Sequence, residues 1–172
     1  MGARSVIATG RNAATLAALA RRFGPRLVPV QMRGEEADDR QRLEQAASGP
    51  IDRVLDLLPP AAEPARVRAA AMAVRPGGTV VLMGGVGMLG DAGLELPYPW
   101  LMRNNITLRG QWMYPPDAAG RMVGLIRSGL VDLGQFEATC FALDRVNEAV
   151  AHAAADAGPF RMTVIQPGPG PM

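Results

Sequence analysis

Lysine is absent from this 172-residue chain, cysteine and histidine each occur once, and serine occurs three times. Each shortage removes a chemistry. Without lysine there is neither a Walker-type phosphate lysine nor a lysine Schiff base. Cys140 and His152 alone cannot assemble a cysteine and histidine zinc site, so no zinc is expected in this chain. A lone cysteine closes no disulfide within the chain, which fits a reducing compartment. Ser5, Ser48 and Ser128 sit in no G-x-S-x-G elbow. No apolar run approaches roughly 18 residues and no charged-then-apolar leader opens the chain, so the expectation is a cytoplasmic protein with no membrane partner. Arginine supplies all 18 basic residues, but these are scattered and the net charge is only +2, which does not suggest nucleic acid.

What is present is an ordinary globular composition, 48% apolar and 20% charged, in a chain long enough for a substantial core. Its periodicity alternates between two and 3.6. Residues 4–9 read as a strand. Asn12 then caps a helix with Leu16, Leu19, Ala20 and Phe23 on one face, ended by Gly24-Pro25. Residues 26–31 read as a strand weakened by Pro29, 37–48 as a polar helix, and 51–58 as a strand closed by Pro59-Pro60. Val67, Ala70, Ala71 and Val74 mark the next helical face, ended by Pro76-Gly77-Gly78, and 79–84 form a further strand. A loop is expected over 85–104 and a strand over 105–110. Pro115-Pro116-Asp117 opens a helix with Ala119, Met122, Val123 and Ile126 inward and Gly129 as its stop. Residues 139–143 form a short strand, Asp144 caps a helix carrying Val146, Ala149, Val150 and Ala153, and 160–166 form the last strand. Such alternation implies an α/β fold with a parallel sheet and helices on both faces.

Gly85, Gly87 and Gly90 spell the dinucleotide-binding G-x-G-x-x-G after a strand. The context fails, however. Pro97 and Pro99 forbid a helix opening directly on the loop, and no acid lies between Glu95 and Asp117 to take a ribose. The stretch therefore reads as a turn at the carboxyl end of a strand, where open α/β sheets bind ligands.

The order of the pieces resembles the medium-chain dehydrogenase/reductase superfamily, which includes zinc-type alcohol dehydrogenases and quinone oxidoreductases. GARSVIATGRNAATLAALARRFG resembles the second strand and helix of its nucleotide-binding domain, IDRVLDLLPP the fourth strand, VRPGGTVVLMGGVG the fifth and NITLRGQWMY the sixth. LDRVNEAVAHAAADAGPFRMTVIQP resembles the C-terminal stretch. The resemblance implies an incomplete Rossmann-like sheet plus a C-terminal helix and short strands, without the catalytic domain and the central first strand that carries the true glycine fingerprint. It places a partial dinucleotide-binding domain at 1–130, a segment that packs on the catalytic domain at 131–166, and a disordered tail at 167–172. The halves of the sheet should then share no neighbour, and 139–143 and 160–166 should present unpaired edges.

The same resemblance implies cofactor contacts. Gly10 and Arg11 end the second strand, with no acid for the ribose hydroxyls and a guanidinium suited to a 2′-phosphate, so NADP is favoured over NAD. Arg11 reads equally as a solvated residue at a helix start. Leu57, Leu58 and Pro59 fall where the family packs adenosine, Gly84, Gly85 and Val86 near the nicotinamide ribose, and Gly110, Gln111 and Trp112 near the carboxamide. Arg161 matches a basic position near the pyrophosphate. Trp100, Trp112 and Tyr114 read as substrate mouth, core or dimer contacts, and residues 105–112 as a candidate homodimer edge. The implied activity is hydride transfer between NADPH and a carbonyl, alcohol or activated alkene. No catalytic residue stands out, so the chain is expected to be inactive without a complementing N-terminal chain or residues upstream of Met1. The reading from another class is a non-catalytic module that pairs its open strands with itself or another chain.

Overall fold

The computed structural model describes residues 2–90, 93–156 and 158–168. The chain divides into two compact units, Gly2–Pro115 and a second that begins at Pro116, so the division precedes residue 130.

The first unit alternates strands and helices: β1 (Val6–Gly10), α1 (Ala13–Phe23), β2 (Leu27–Gln31), α2 (Glu36–Ala46), β3 (Ile51–Asp56), α3 (Pro64–Met72), β4 (Val74–Leu82), α4 (Tyr98–Arg103) and β5 (Thr107–Gly110). Asn12 caps α1 as expected, its side chain accepting the Thr15 N–H at 3.0 Å. Pro29 costs no internal ladder position because β2 pairs only with β1 and forms an edge.

All pairing in this unit is parallel, but in two separate sheets, β1-β2 and β3-β4-β5. Both run the same way. The Ser5 and Ser48 hydroxyls, just ahead of β1 and β3, lie 3.5 Å apart. At the opposite ends Gly34, past β2, lies against Arg66 and Glu63, past β3. Ile7 of β1 and Ile51 of β3 also pack on one cluster, formed by Val30, Met32, Leu43 and Ala69. Thus β1 and β3 are neighbours in direction and packing without a hydrogen-bonded ladder, as expected for a sheet lacking its central strand among the described residues.

Helices occupy both faces. Ile7 faces the cluster that contains Leu43 of α2 and Ala69 of α3, while the Cβ direction of Gly10 meets Leu16 of α1 at 3.6 Å. Strand alternation puts residues 7 and 10 on opposite faces. The second cluster, Ala71, Val74 and Val80 with Val54, Leu82, Leu96, Trp100 and Ile106, joins α3 to the three-stranded sheet. Trp100 is therefore a core aromatic. On the other face of β3, Leu55 remains 58% exposed.

Two expectations are corrected in this unit. Val74 belongs to β4 rather than to the preceding helix, because the chain turns extended at once and reaches its register with β3 through an irregularity between Ile51 and Arg53. Gly78 fits that irregularity because a Cβ there would lie 2.5 Å from Val74 Cγ2 and 2.8 Å from the Arg75 carbonyl oxygen. The expected loop over 85–104 also contains α4, which Pro97 and Pro99 start rather than prevent, since proline suits a first turn.

The second unit contains α5 (Ala118–Arg127), β6 (Glu137–Ala142), α6 (Val146–Ala155) and β7 (Arg161–Gln166). Here β6 and β7 pair with each other in parallel from Glu137↔Arg161 to Ala142↔Gln166, so each has one satisfied edge rather than none. Of the expected face of α6 only Ala149 is buried, while Val146, Val150 and Ala153 are exposed. Asp144 does not cap α6; it lies in a 3₁₀ turn, Leu143–Arg145, that leads into the helix. No residue of α5 is buried, and Met122 and Val123 stay about half exposed, because periodicity specifies an apolar face but not a covering element. Of the expected tail, residues 169–172 lie outside the described residues.

Candidate nucleotide site

The carboxyl ends of β1, β3, β4 and β5 carry Gly10 and Arg11, Leu57 and Leu58, Gly84 to Val86, and Gly110 and Gln111. Parallel packing thus brings these nine expected cofactor contacts to one side of the first unit. Arg161 is not among them. It belongs to the other unit, where it pairs with Asp156 and lies 3.9 Å from Glu137, a pairing that satisfies it locally.

Arg11 is exposed and makes no hydrogen bond or ion pair through its guanidinium among the described residues. Its main chain is held: Gln31 Nε2 donates to the Arg11 carbonyl at 3.0 Å, and the Met32 N–H donates to the Gly10 carbonyl at 2.9 Å. The result is a fixed backbone bearing an unengaged cation just before the capped start of α1. A planar guanidinium so placed suits a phosphate monoester.

Gly84 and Gly85 need no left-handed backbone; what they lack is room. A Cβ on Gly84 would lie 2.5 Å from Asp56 Oδ2, 2.6 Å from the Leu58 carbonyl oxygen and 2.9 Å from the Leu58 nitrogen. A Cβ on Gly85 would meet the Pro60 ring at 2.7 Å. These glycines therefore let the loop after β3 close over the end of β4. The Gly85 N–H donates to the Leu58 carbonyl at 2.8 Å, and the Met83 N–H to the Asp56 carbonyl at 3.1 Å. Beyond them the literal fingerprint folds as turns: Met88 N–H reaches Gly85, and Gly87 and Gly90 take positive φ of 83° and 86°. No helix opens on Gly90 among the described residues.

On β5, a Cβ at Gly110 would have nothing within 4 Å, which leaves its face open to a ligand. The Gln111 N–H is committed to the Leu82 carbonyl at 2.9 Å, and its side chain bridges Arg109 and the Met113 carbonyl. Trp112 and Tyr114 follow, both more than two-thirds exposed. A cavity of ≈ 560 Å³ lies beside this surface, lined by Arg33, Gly34, Glu63, Arg66, Arg68 and Glu95 among others, and none of the expected contacts lines it.

Sequence reading missed two buried acids. Asp39 is fully buried and accepts the Arg33 and Gly34 N–H groups, each at 2.8 Å, fixing the loop after β2. Asp56 is 8% exposed and accepts the Leu58 N–H at 3.0 Å. An aspartate two residues before a loop amide is a turn signal, but nothing local shows that these two are buried. No group of three or more histidine, cysteine or acidic side chains among the described residues is arranged to hold a metal ion. His152 instead meets Thr163 at 3.0 Å, and Cys140 is exposed on β6. No helix among the described residues is long and apolar enough to cross a membrane.

The family described as zinc-binding dehydrogenase matches residues 1–128. No curated protein matches the sequence. Among solved structures, the chain is similar to benzyl alcohol dehydrogenase from Acinetobacter calcoaceticus, with a TM-score of 0.70 at 18% identity, covering 96% of this chain and 44% of that one. It is similar to L-idonate 5-dehydrogenase from Escherichia coli, with a TM-score of 0.66 at 19% identity and coverage of 96% and 44%. A zinc-binding dehydrogenase from Sinorhizobium meliloti, described as putative and bound to NADP, gives 0.66 at 20% identity, with coverage of 96% and 46%. The chain thus spans less than half the length of each of these structures. It belongs to the zinc-binding dehydrogenase family and has the fold of that family's Rossmann-like nucleotide-binding half.

Proposed function

We propose that this chain is the nucleotide-binding portion of a cytoplasmic oxidoreductase that prefers NADP to NAD. The observation that carries the reading is Arg11, an exposed, unengaged guanidinium just past the carboxyl end of β1 with no acidic neighbour in sequence, on the side where the parallel strands end. When bound, the dinucleotide supplies hydride to a carbonyl, alcohol or activated alkene. This chain's residues bind and orient it: Arg11 takes the 2′-phosphate, Leu58 packs adenosine, Gly84 to Val86 flank the nicotinamide ribose, and Gly110 and Gln111 approach the carboxamide. On this reading residues 1–172 bind the dinucleotide, and turnover needs a complementing catalytic part. Calorimetric titration tests the reading. NADPH should bind more tightly than NADH, and Arg11→Ala should erase the difference. Equal affinities in the parent chain would refute the phosphate role.

A second reading is a non-catalytic interaction module. It is favoured by the free edges of β1 and β3 among the described residues, and by Val6 and Leu55 on those strands being more than half exposed. Those edges suit an added parallel strand, supplied by a second copy or a complementing N-terminal chain. The outer edge of β5, in residues 105–112, is a further pairing site for a homodimer. A folded monomer that binds NADPH and stays monomeric at high concentration would exclude self-pairing.

A further inference from the structure

We infer that Asp56 is a positioning residue for the dinucleotide, holding the adenosine-facing loop 57–60 and the ribose-facing glycines 84–85 as one rigid edge. The inference rests on the cofactor reading above. It starts from a cost: a carboxylate 8% exposed loses hydration and must be repaid by hydrogen bonds. Asp56 is the last residue of β3, and its Oδ1 accepts the Leu58 N–H at 3.0 Å. That bond fixes the amide that joins Leu57 to Leu58, and the next amide, between Leu58 and Pro59, accepts the Gly85 N–H through the Leu58 carbonyl at 2.8 Å. The Asp56 carbonyl accepts the Met83 N–H at 3.1 Å. Leu58 is therefore held through both of its adjoining peptide units, by the Asp56 carboxylate on one side and by Gly85 on the other.

The packing around these bonds leaves little freedom. The Cβ position of Gly84 is 2.5 Å from Asp56 Oδ2, and that of Gly85 is 2.7 Å from the Pro60 ring. The loop cannot withdraw from the end of β4 without losing the Gly85 bond, and it cannot approach further. Among the described residues no hydrogen bond or ion pair joins Asp56 to Arg11, which lies beyond a different strand. The two residues should therefore act on different parts of the ligand. Arg11 discriminates between NADPH and NADH, whereas Asp56 shapes the adenosine and ribose surface common to both.

The test combines amide hydrogen exchange with titration by NADPH and by NADH, on the full chain and on Asp56→Ala and Asp56→Asn. In Asp56→Ala, exchange at Leu58 and Gly85 should accelerate and both dinucleotides should weaken by about tenfold, as expected for losing a hydrogen bond to a charged acceptor. Asp56→Asn keeps an acceptor oxygen for Leu58 and should restore both protection and affinity. Where the alanine variant does not fold, Asp56→Glu, which keeps the charge but displaces the oxygen, should give the alanine pattern. Unchanged exchange in the variants, or faster exchange with unchanged affinity, overturns the role of Asp56 while leaving the cofactor reading intact. Failure of the parent chain to bind either dinucleotide overturns the cofactor reading and this role with it.

Discussion

Gly84→Ala places one methyl group where the first unit has least room. The new carbon would sit 2.5 Å from Asp56 Oδ2, 2.6 Å from the Leu58 carbonyl oxygen and 2.9 Å from the Leu58 nitrogen. Two of these three atoms are backbone, so relief requires moving the 57–60 loop rather than rotating a side chain. Overpacking of this kind costs about 1–3 kcal/mol, and a rigid, hydrogen-bonded neighbour puts this site toward the upper end. For a chain of this size that corresponds to roughly 5–10 °C in melting temperature. Gly110→Ala is the matched control. It also lies at the carboxyl end of a strand with an ordinary φ, but its Cβ would meet nothing within 4 Å, so its effect should stay within roughly 0.5 kcal/mol. Thermal and urea unfolding of both variants provide the assay. If Gly84→Ala melts with Gly110→Ala, the close approach of the two loops is not a feature of the folded protein.

Other perturbations read other parts of the account. Arg11→Ala should weaken NADPH binding more than tenfold and hardly change NADH, from a charged hydrogen bond of about 1.5–3 kcal/mol; isothermal titration measures both. Asp39→Ala removes the acceptor of two backbone N–H groups in a fully buried position and should cost about 3 kcal/mol in urea unfolding, with Asp39→Asn recovering part of it. Hydrogen bonding to Arg145 holds the Glu148 carboxyl below its ordinary range. The lowered folded-state value means that this contact contributes fully above the unfolded carboxyl's pKa and is lost as pH falls through the folded one. Carbon-detected NMR titration should show the depressed inflection, and Arg145→Ala should return it to normal.

The legible parts of the fold were those set by local chemistry. Asn12 needs only Thr15 to cap a helix, and both lie within one turn. Alternation of strands and helices implied parallel pairing, and the order of the pieces implied two half-sheets with no shared strand. Val74 was misplaced because it continues the spacing of Val67, Ala70 and Ala71, and periodicity cannot see a chain turn extended one residue early. The amphipathic spacing of Met122 and Val123 is real, but spacing does not supply a partner. Asp39 and Asp56 were invisible for a related reason. An aspartate in isolation reads as solvated, and here burial comes from loops and helices distant in sequence. The sequence places Gly84 and Gly85 near the nicotinamide ribose only by resemblance, and in the structure what approaches them is the chain's own Asp56, Leu58 and Pro60.

The central claim is that dinucleotide binds across the carboxyl ends of β1, β3, β4 and β5. Backbone amide chemical shifts followed during NADPH titration test it most directly. The account predicts saturable shifts at Gly10, Arg11, Leu58, Gly84, Gly85 and Gly110. No shifts at millimolar NADPH, or shifts confined to β6, α6 and β7, would contradict it.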